Sequence, residues 1–457
     1  MKKCILLLIV CLYPIKTPAI TLDFLVGKLY AENLELKVIN NKIGYSMAQV
    51  KGAFSGHLPS LAFNNAVTKG KDFESSSSTV SNTSVAPAGM DSLSSQGGSN
   101  VGTSNTTTEN EAWTTELSFS IPIFSRFAVE SSVKTAKNNV RYDILTLKEM
   151  RYEKKSQLIR LILEINILED IRKTILEADK IISMVKSRSR NSRTRGLYNK
   201  KELLELDTRY YELIYQKTRV EEGLGLARKA MYDLIPDFKT SWFDKLPKLK
   251  ISYEIPSEQL FKDKYHKQSL TWKKDSLQIN STRHILKATR WERPWIPMIV
   301  TSGSYGYSGD FKNTPKDGDW RITVGVTFEL FDGFRSSSRR GQALHSHLIS
   351  TNKRKINMSK KLLLLKHDSM SARVSRAHFN HKMAIAREKK HKLDQTKKLS
   401  RSGTTTKFEQ SVLMIDYAKT RFEAYDALKK YQVAILDIAK TLNEFEKVEI
   451  HENSKAI

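Results

Sequence analysis

The chain has 457 residues, 27% charged and 40% hydrophobic, with a formal net charge of +27 from 76 Lys+Arg against 49 Asp+Glu. That excludes collagen-like and globally disordered chains, allows two to four domains of about 100–200 residues, and points to nucleic acid, anionic lipid or acidic partners. No apolar run reaches the ~20 residues of a transmembrane helix, so a mature chain that crosses a membrane must do so as strands.

Residues 1–19 read as a secretory signal peptide: Lys2 and Lys3 precede the apolar stretch Ile5 to Tyr13, and Thr17-Pro18-Ala19 supplies an imperfect small-residue cleavage signal. Cys4 and Cys11 both fall inside it, so the mature chain is expected to hold no disulfide, thiolate nucleophile or Cys-ligated zinc. Loss of Lys2, Lys3 and Lys16 leaves +24. Export argues against genomic DNA, and no nucleic-acid partner is expected.

Residues 20–235 form the first of two repeats, comprising a helix, a β-hairpin over 58–123 and a long helical hairpin. Strand Leu58 to Val67 opens the hairpin. Thr68 to Ala112 is rich in Ser, Thr, Asn and Gly, with too little apolar content to pack, and is expected to be a mobile loop. The second strand alternates Leu117, Phe119, Ile121 and Ile123 with Glu116, Ser118 and Ser120, giving one apolar and one polar face. Ser125 to Arg188 then carries apolar residues in steps of three and four, and at 1.5 Å per residue would extend ~96 Å. The return helix keeps a heptad from Leu203 through Leu206, Leu213, Val220, Ala227 and Leu234, broken only by Lys217.

Pro236, Pro247 and Pro256 mark an irregular segment over 236–257. The second repeat follows over 258–445, with a hairpin over 296–331, a helix from about Ser337 to Leu399 and a return helix from Thr406 to Phe445. Residues 446–457 are a tail. Its second strand alternates Ile322, Val324, Val326, Phe328 and Leu330 with Arg321, Thr323, Gly325, Thr327 and Glu329. One offset of 207 residues relates the repeats: Trp113 to Trp320, Phe124 to Phe331, Phe127 to Phe334, Gly196 to Gly403, Glu202 to Glu409, Leu206 to Leu413, Tyr210 to Tyr417 and Tyr215 to Phe422.

Four amphipathic strands cannot stay open in lipid, because their edges carry unpaired backbone groups, and four are too few to close. Two copies give eight strands and little bore; three give twelve and an aqueous lumen. A homotrimer is therefore expected if the strands sit in a membrane. Leu117, Phe119, Ile121, Ile322, Val324, Val326, Phe328 and Leu330 are then the lipid-facing set. Trp113, Trp320 and Phe331 are interface aromatics.

Several residues carry a resemblance: Glu32-Asn33, Gln49-Val50, Leu58-Pro59-Ser60-Leu61, Ile121-Pro122-Ile123-Phe124, Gly196…Glu202, Ile296-Pro297, Leu330-Phe331-Asp332-Gly333 and Gly403…Glu409. Over nearly the whole mature chain this resembles the TolC-like outer membrane factors. The resemblance implies a mixed α/β membrane protein. Its trimeric twelve-stranded outer-membrane barrel, four strands per chain, continues into a coiled-coil helical periplasmic barrel. It implies an exit duct in the outer membrane of a Gram-negative bacterium, conducting passively. A periplasmic adaptor and an inner-membrane transporter would serve it, in a tripartite efflux pump or a type I secretion system. Gly196, Glu202, Gly403 and Glu409 are the helix-tip gate candidates. The chain departs from the family pattern at Leu34, where Pro is usual, and at Ser400, Thr405 and Val412 around the gate.

Other features carry less. The segment Asp332 to Lys407 holds 20 Lys/Arg and four acids and reads as a solvated helix face. His378 and His381 lack a third ligand, and Gly303, Gly306 and Gly309 lack the βαβ unit of a dinucleotide site. No catalytic motif is present, so neither an enzyme nor a cofactor is expected. The alternative is an exported coiled-coil scaffold without a pore, which explains the heptads but not the hairpins.

Overall fold

The computed structural model describes residues 20–73, 107–193, 200–293, 295–310, 318–401 and 407–452. The signal-peptide reading and the tip glycines Gly196 and Gly403 lie outside the described residues.

Helices α1 (Leu22–Glu32) and α2 (Leu34–Ser55) meet at Asn33. The buried Asn33 side chain serves both sides of the break. Its Nδ2 donates to the Leu234 carbonyl at 3.0 Å, and its Oδ1 accepts from the Leu36 N–H at 3.2 Å. Leu34 occupies the first helical position, where a missing N–H costs nothing, so Leu and Pro are both accommodated there.

Strands β1 (Ser60–Phe73), β2 (Thr107–Phe124), β4 (Met298–Asp310) and β5 (Asp319–Thr327) form one antiparallel sheet in the order β1-β2-β4-β5. The first hairpin is longer than its side chains predict. Thr68–Phe73 and Thr107–Ala112, read as loop, continue the ladder to Phe73↔Thr107. Their Thr, Asn, Lys and Glu side chains lack the alternation that marks a half-buried strand, and backbone pairing alone defines them. Conversely, β5 ends at Thr327, so Phe328 and Leu330 lie beyond it. In β2 the equivalent residue Ile121 still pairs with Thr301 of β4, and Ile123 falls at an irregularity between Pro122 and Phe124.

Two further strands, β3 (Leu249–Ser252) and β6 (Glu449–Glu452), pair antiparallel as a second sheet. They fall in the segments read as irregular and as tail. Four residues are too few to establish a period, and the partners lie some 200 residues apart.

The helical hairpins are α3 (Ala128–Arg193) with α4 (Lys200–Leu234), and α7 (Arg335–Arg401) with α8 (Lys407–Thr441). Their lengths, 66 and 35 residues against 67 and 35, reproduce the duplication. Short helices α5 (Glu258–Gln268) and α6 (Leu270–Thr289) precede the second hairpin of strands. Helix α8 stops at Thr441, short of the expected Phe445. Asn443 turns left-handed (φ 58°), with Glu444 N–H bonded to the Ala439 carbonyl and Asn443 N–H to that of Lys440, a Schellman termination.

The chain divides into two compact units. The first comprises Met1–Val38, Leu147–Leu270 and Ser359–Ile457, the second Ile39–Thr146 and Thr271–Met358. The first buries Leu25, Leu29, Leu158, Ile162, Ile165 and Ile171 with the heptad residues Leu206, Leu213, Val220, Ala227 and Leu234. Lys217, the break in that heptad, bonds Asp179 on α3 at 3.0 Å. Glu444, presented by the turn after α8, accepts from Tyr253 (2.9 Å), Lys264 (3.0 Å) and Lys447 (2.7 Å). The second unit holds the four-stranded sheet, and there the buried Asp143 accepts from Ser46 and faces Lys42 at 3.2 Å.

Candidate functional site

Residues directly opposite in adjacent strands share a face. The registers Phe63↔Leu117↔Tyr305↔Trp320 and Leu61↔Phe119↔Gly303↔Ile322 therefore put the apolar sets of all four strands on one side. That face is open: Leu61 is 70% exposed, Ile322 63% and Val324 62%, while Phe119 and Ile121 are half-buried against neighbours in the sheet. The other face carries Asn64, Glu116, Ser118, Ser304, Arg321 and Thr323. A sheet solvated on one side normally buries its apolar face on a core, and an uncovered apolar surface of this kind marks a contact with lipid or protein.

Trp113 and Phe124 stand near the ends of this face, eleven residues apart within β2. That is about 36 Å of strand, and about 26 Å of height at a tilt near 45°, against an apolar band of about 25 Å in membrane barrels. Trp320, 73% exposed, occupies the equivalent place on β5, and Phe331 lies beyond that strand, stacked edge-on against Phe334. The glycines Gly303 and Gly309 are packing sites beneath aromatics. A Cβ at Gly303 would collide with the Phe119 ring, and one at Gly309 would lie 3.0 Å from Trp113 Nε1.

The register also staggers. Thr301 pairs with Ile121 on one side and with Val324 on the other, whereas the repeat equivalent of Ile121 is Phe328. Each repeat thus advances four residues along the strands, the kind of shear that sheet closure requires.

Both repeats leave the sheet through the same turn. Arg126 and Phe127 have φ of 53° and 60°, and their equivalents Gly333 and Phe334 have 61° and 65°. In the second repeat Asp332 Oδ2 accepts the Ser336 N–H at 2.8 Å and caps α7. Leu-Phe-Asp-Gly is thereby explained: Asp caps, and Gly takes the left-handed turn without strain.

At the helix tips, Glu202 lies in the first turn of α4 and Glu409, exposed, in the first turn of α8; Val412 is half-buried. About two turns further along, α4 and α8 are joined by a charge network. Arg209 contacts Asp416 at 3.3 Å and Glu212 at 3.0 Å, and Lys419 donates to Glu212 at 2.9 Å. Burial pushes the Glu212 carboxyl up, but bonds from Lys419 and Arg209 outweigh it and hold the group below its ordinary value. Lys186 pairs with Asp207 at 3.0 Å and covers the Tyr210 ring. The sequence reading missed this network. Its signal was available: residues at equivalent repeat positions carry opposite charge, Arg209 against Asp416 and Glu212 against Lys419. His378 and His381 lie on exposed positions of α7, and among the described residues no cluster of potential metal ligands forms. No described helix is long and apolar enough to cross a membrane.

No protein-family model matches the chain, and no curated protein matches it significantly. Solved structures do. The Campylobacter jejuni CmeC outer membrane channel is 12% identical with a TM-score of 0.74, the match covering 95% of this chain and 87% of that one. The Vibrio cholerae outer membrane protein VceC is 12% identical with a TM-score of 0.66, covering 92% and 95%. The open-state Neisseria gonorrhoeae MtrE outer membrane channel is 14% identical with a TM-score of 0.65, covering 93% and 89%. At such identity the shared property is the fold: this chain has the fold of the TolC-like outer membrane channels.

Proposed function

We propose that three copies pool their four-stranded sheets into one twelve-stranded outer-membrane barrel, and that the assembly is a passive exit duct for material handed over in the periplasm. The observation that carries this is the uncovered apolar face of a staggered sheet whose two edge strands, β1 and β5, each have one edge without a partner among the described residues. In lipid each unpaired backbone group costs several kcal/mol, so such edges must pair. Pairing of β5 with the next copy's β1 would extend β5 through Phe328 and Leu330, restoring the full lipid-facing set. The likeness to outer membrane channels supports delivery by a periplasmic adaptor and an inner-membrane transporter at the helix tips, with Glu202 and Glu409 at the entrance. The chain then takes no catalytic part and needs no cofactor; energy comes from the transporter.

The test is reconstitution of the purified mature chain in planar bilayers, with electrophoresis of heated and unheated samples. Discrete conductance steps and a heat-sensitive oligomer band are expected. A water-soluble monomer with neither property would favour the scaffold reading and remove the duct.

A further inference from the structure

Where the chain passes from sheet to helix in the second unit, α3 and α6 enclose a small cavity of about 180 Å³. Phe127, Glu130 and Lys134 line it from the start of α3, and His284, Lys287 and Trp291 from the end of α6. Each set stands at i, i+3 and i+7, the spacing of one helix face. The Phe127 and Trp291 rings touch, with centroids 5.0 Å apart. The Trp291 N–H bonds the Ala288 carbonyl at 2.8 Å, which fixes the turn that carries the indole.

The charges around this cavity do not satisfy one another. Glu130 Oε2 is buried with no hydrogen-bond partner among the described residues. Lys134 follows at the spacing of an intrahelical ion pair, yet Oε2 takes nothing from it. Burial, and then the charges of Lys134, Lys287 and Arg283, lower the pKa of His284 from its ordinary 6.5, so its ring is neutral at pH 7. Two ammonium groups thus act on one ring while a buried carboxylate oxygen lacks a donor. Such a wall suits a ligand that carries both signs.

The turn itself does not need these charges. Phe127 recurs as Phe334 with the same left-handed backbone, but Glu130 recurs as Ser337 and Lys134 as Gly341. The second repeat keeps the ring and does without the ions.

Size, donors and position narrow the ligand. Pockets for drug-sized molecules run to about 300–1,000 Å³, so this one admits a single small polar head. The orphaned Glu130 oxygen requires an N–H, which a primary ammonium has and a quaternary ammonium lacks. The faces of Phe127 and Trp291 favour the same cation. Lys134 and Lys287 supply point charges for a phosphate. Phe124, the last residue of β2, lies 5.7 Å from Phe127, so a row of rings leads from the end of the apolar sheet face to the cavity. Trp and Lys are also the residues that mark a membrane–water boundary.

We infer that this cavity binds a phosphoethanolamine headgroup, its ammonium donating to Glu130 and its phosphate held between Lys134 and Lys287. The source is a membrane phospholipid whose tails lie along the apolar sheet face, and in that respect the inference rests on the function proposed above.

The experiment is native mass spectrometry of the purified full chain in detergent with an equimolar mixture of phosphatidylethanolamine, phosphatidylcholine and phosphatidylglycerol. Preferential retention of phosphatidylethanolamine is expected. Glu130→Gln should lower its preference over phosphatidylcholine by about tenfold, because the ammonium loses a charged acceptor. Lys134→Gln and Lys287→Gln, both at exposed positions that do not threaten folding, should lower retention of all three phosphodiesters. Lys137→Gln, exposed on α3 but outside the cavity, should change nothing. Soluble glycerophosphoethanolamine separates the two sources of the headgroup: displacement of the lipid at equal concentration assigns the site to the free headgroup, and failure to displace assigns it to the lipid. Equal retention of the three lipids, or an unchanged preference in Glu130→Gln, would overturn the site. Bilayer conductance of the same preparations keeps the claims apart. Channels without headgroup preference would overturn this site and leave the duct standing; a water-soluble monomer that retains no lipid would overturn both.

Discussion

Val324→Arg tests whether lipid is the solvent of the apolar sheet face. Val324 is the repeat equivalent of Leu117, which lies four residues from Trp113 and seven from Phe124, so it falls well inside the apolar band. It is 62% exposed and its cross-strand partner is Thr301. In water an arginine at so open a position changes stability by no more than about 0.5 kcal/mol. At the midplane of a bilayer the same change costs about 2–4 kcal/mol per copy, or about 30- to 900-fold in the folding equilibrium. Summed over three copies it reaches about 6–12 kcal/mol per assembly. The control is Thr323→Arg, one residue away on the polar face, where the cost should stay near that of a surface change. The assay is urea-dependent folding into lipid vesicles, followed by tryptophan fluorescence and by the heat-sensitive oligomer band. Equal destabilisation by the two variants in vesicles would refute the assignment of the faces and, with it, the membrane reading.

Three more outcomes are expected. Glu444→Gln should destabilise the first unit by about 2–4 kcal/mol at neutral pH, because Lys264, Lys447 and Tyr253 lose a charged acceptor. Burial pushes this carboxyl up, yet its three donors hold it below its ordinary value of 4.5. Its contribution is therefore complete above that value and lost as pH falls through the depressed folded value; thermal melts of wild type and variant should converge in acid and diverge at pH 7. Gly333→Ala should cost about 1 kcal/mol, since φ is +61° and a Cβ there meets nothing within 4 Å, leaving only the backbone penalty; chemical denaturation measures it. Leu34→Pro should be tolerated and raise stability by about 0.5 kcal/mol, because Asn33 already holds an extended φ −61°, ψ 121° and Leu34 opens a helix; a fall in melting temperature would count against that capping geometry.

The duplication made most of the fold readable. Trp113, Phe124 and Phe127 recur at one offset, and the alternation around Leu117 and Ile322 named the apolar face before any contact was known. The heptad from Leu206 to Leu234 was equally plain, and its one defect, Lys217, proved to be an ion pair with Asp179. What escaped notice lacked a period. The ladder over Thr68–Phe73 and Thr107–Ala112 is held by backbone pairing between polar residues, and β3 pairs with β6 across some 200 residues through four-residue segments. The Glu444 node was invisible for a related reason: only Lys447 is a sequence neighbour, and the fold brings Tyr253 and Lys264 to it from some 180–190 residues away. The α4–α8 charge network is different in kind. The inverted charges at 209/416 and 212/419 stood in the sequence, but similarity searches within a chain reward identity, and complementarity between repeats registers as mismatch.

Complementarity, rather than identity, is also what a duplicated chain needs if it is to assemble further. Identical repeats joined through one shared face would satisfy each other and stop. Here the sheet leaves one edge of β1 of the first repeat and one edge of β5 of the second open among the described residues, and the proposed assembly joins these two unlike edges. The helices meet through unlike residues within the chain, Arg209 and Glu212 on α4 against Asp416 and Lys419 on α8. The two contributions differ in size. Each strand edge carries a row of backbone groups whose exposure to lipid costs several kcal/mol apiece, whereas a half-exposed ion pair such as Lys419–Glu212 is worth about 1 kcal/mol or less. In the proposed assembly strand pairing therefore supplies the drive to associate, and the helix charges contribute little to it. Arg209→Ala, which removes the intrachain contacts to Asp416 and Glu212, should then cost only about 1 kcal/mol or less in chemical denaturation and leave the heat-sensitive oligomer band in place.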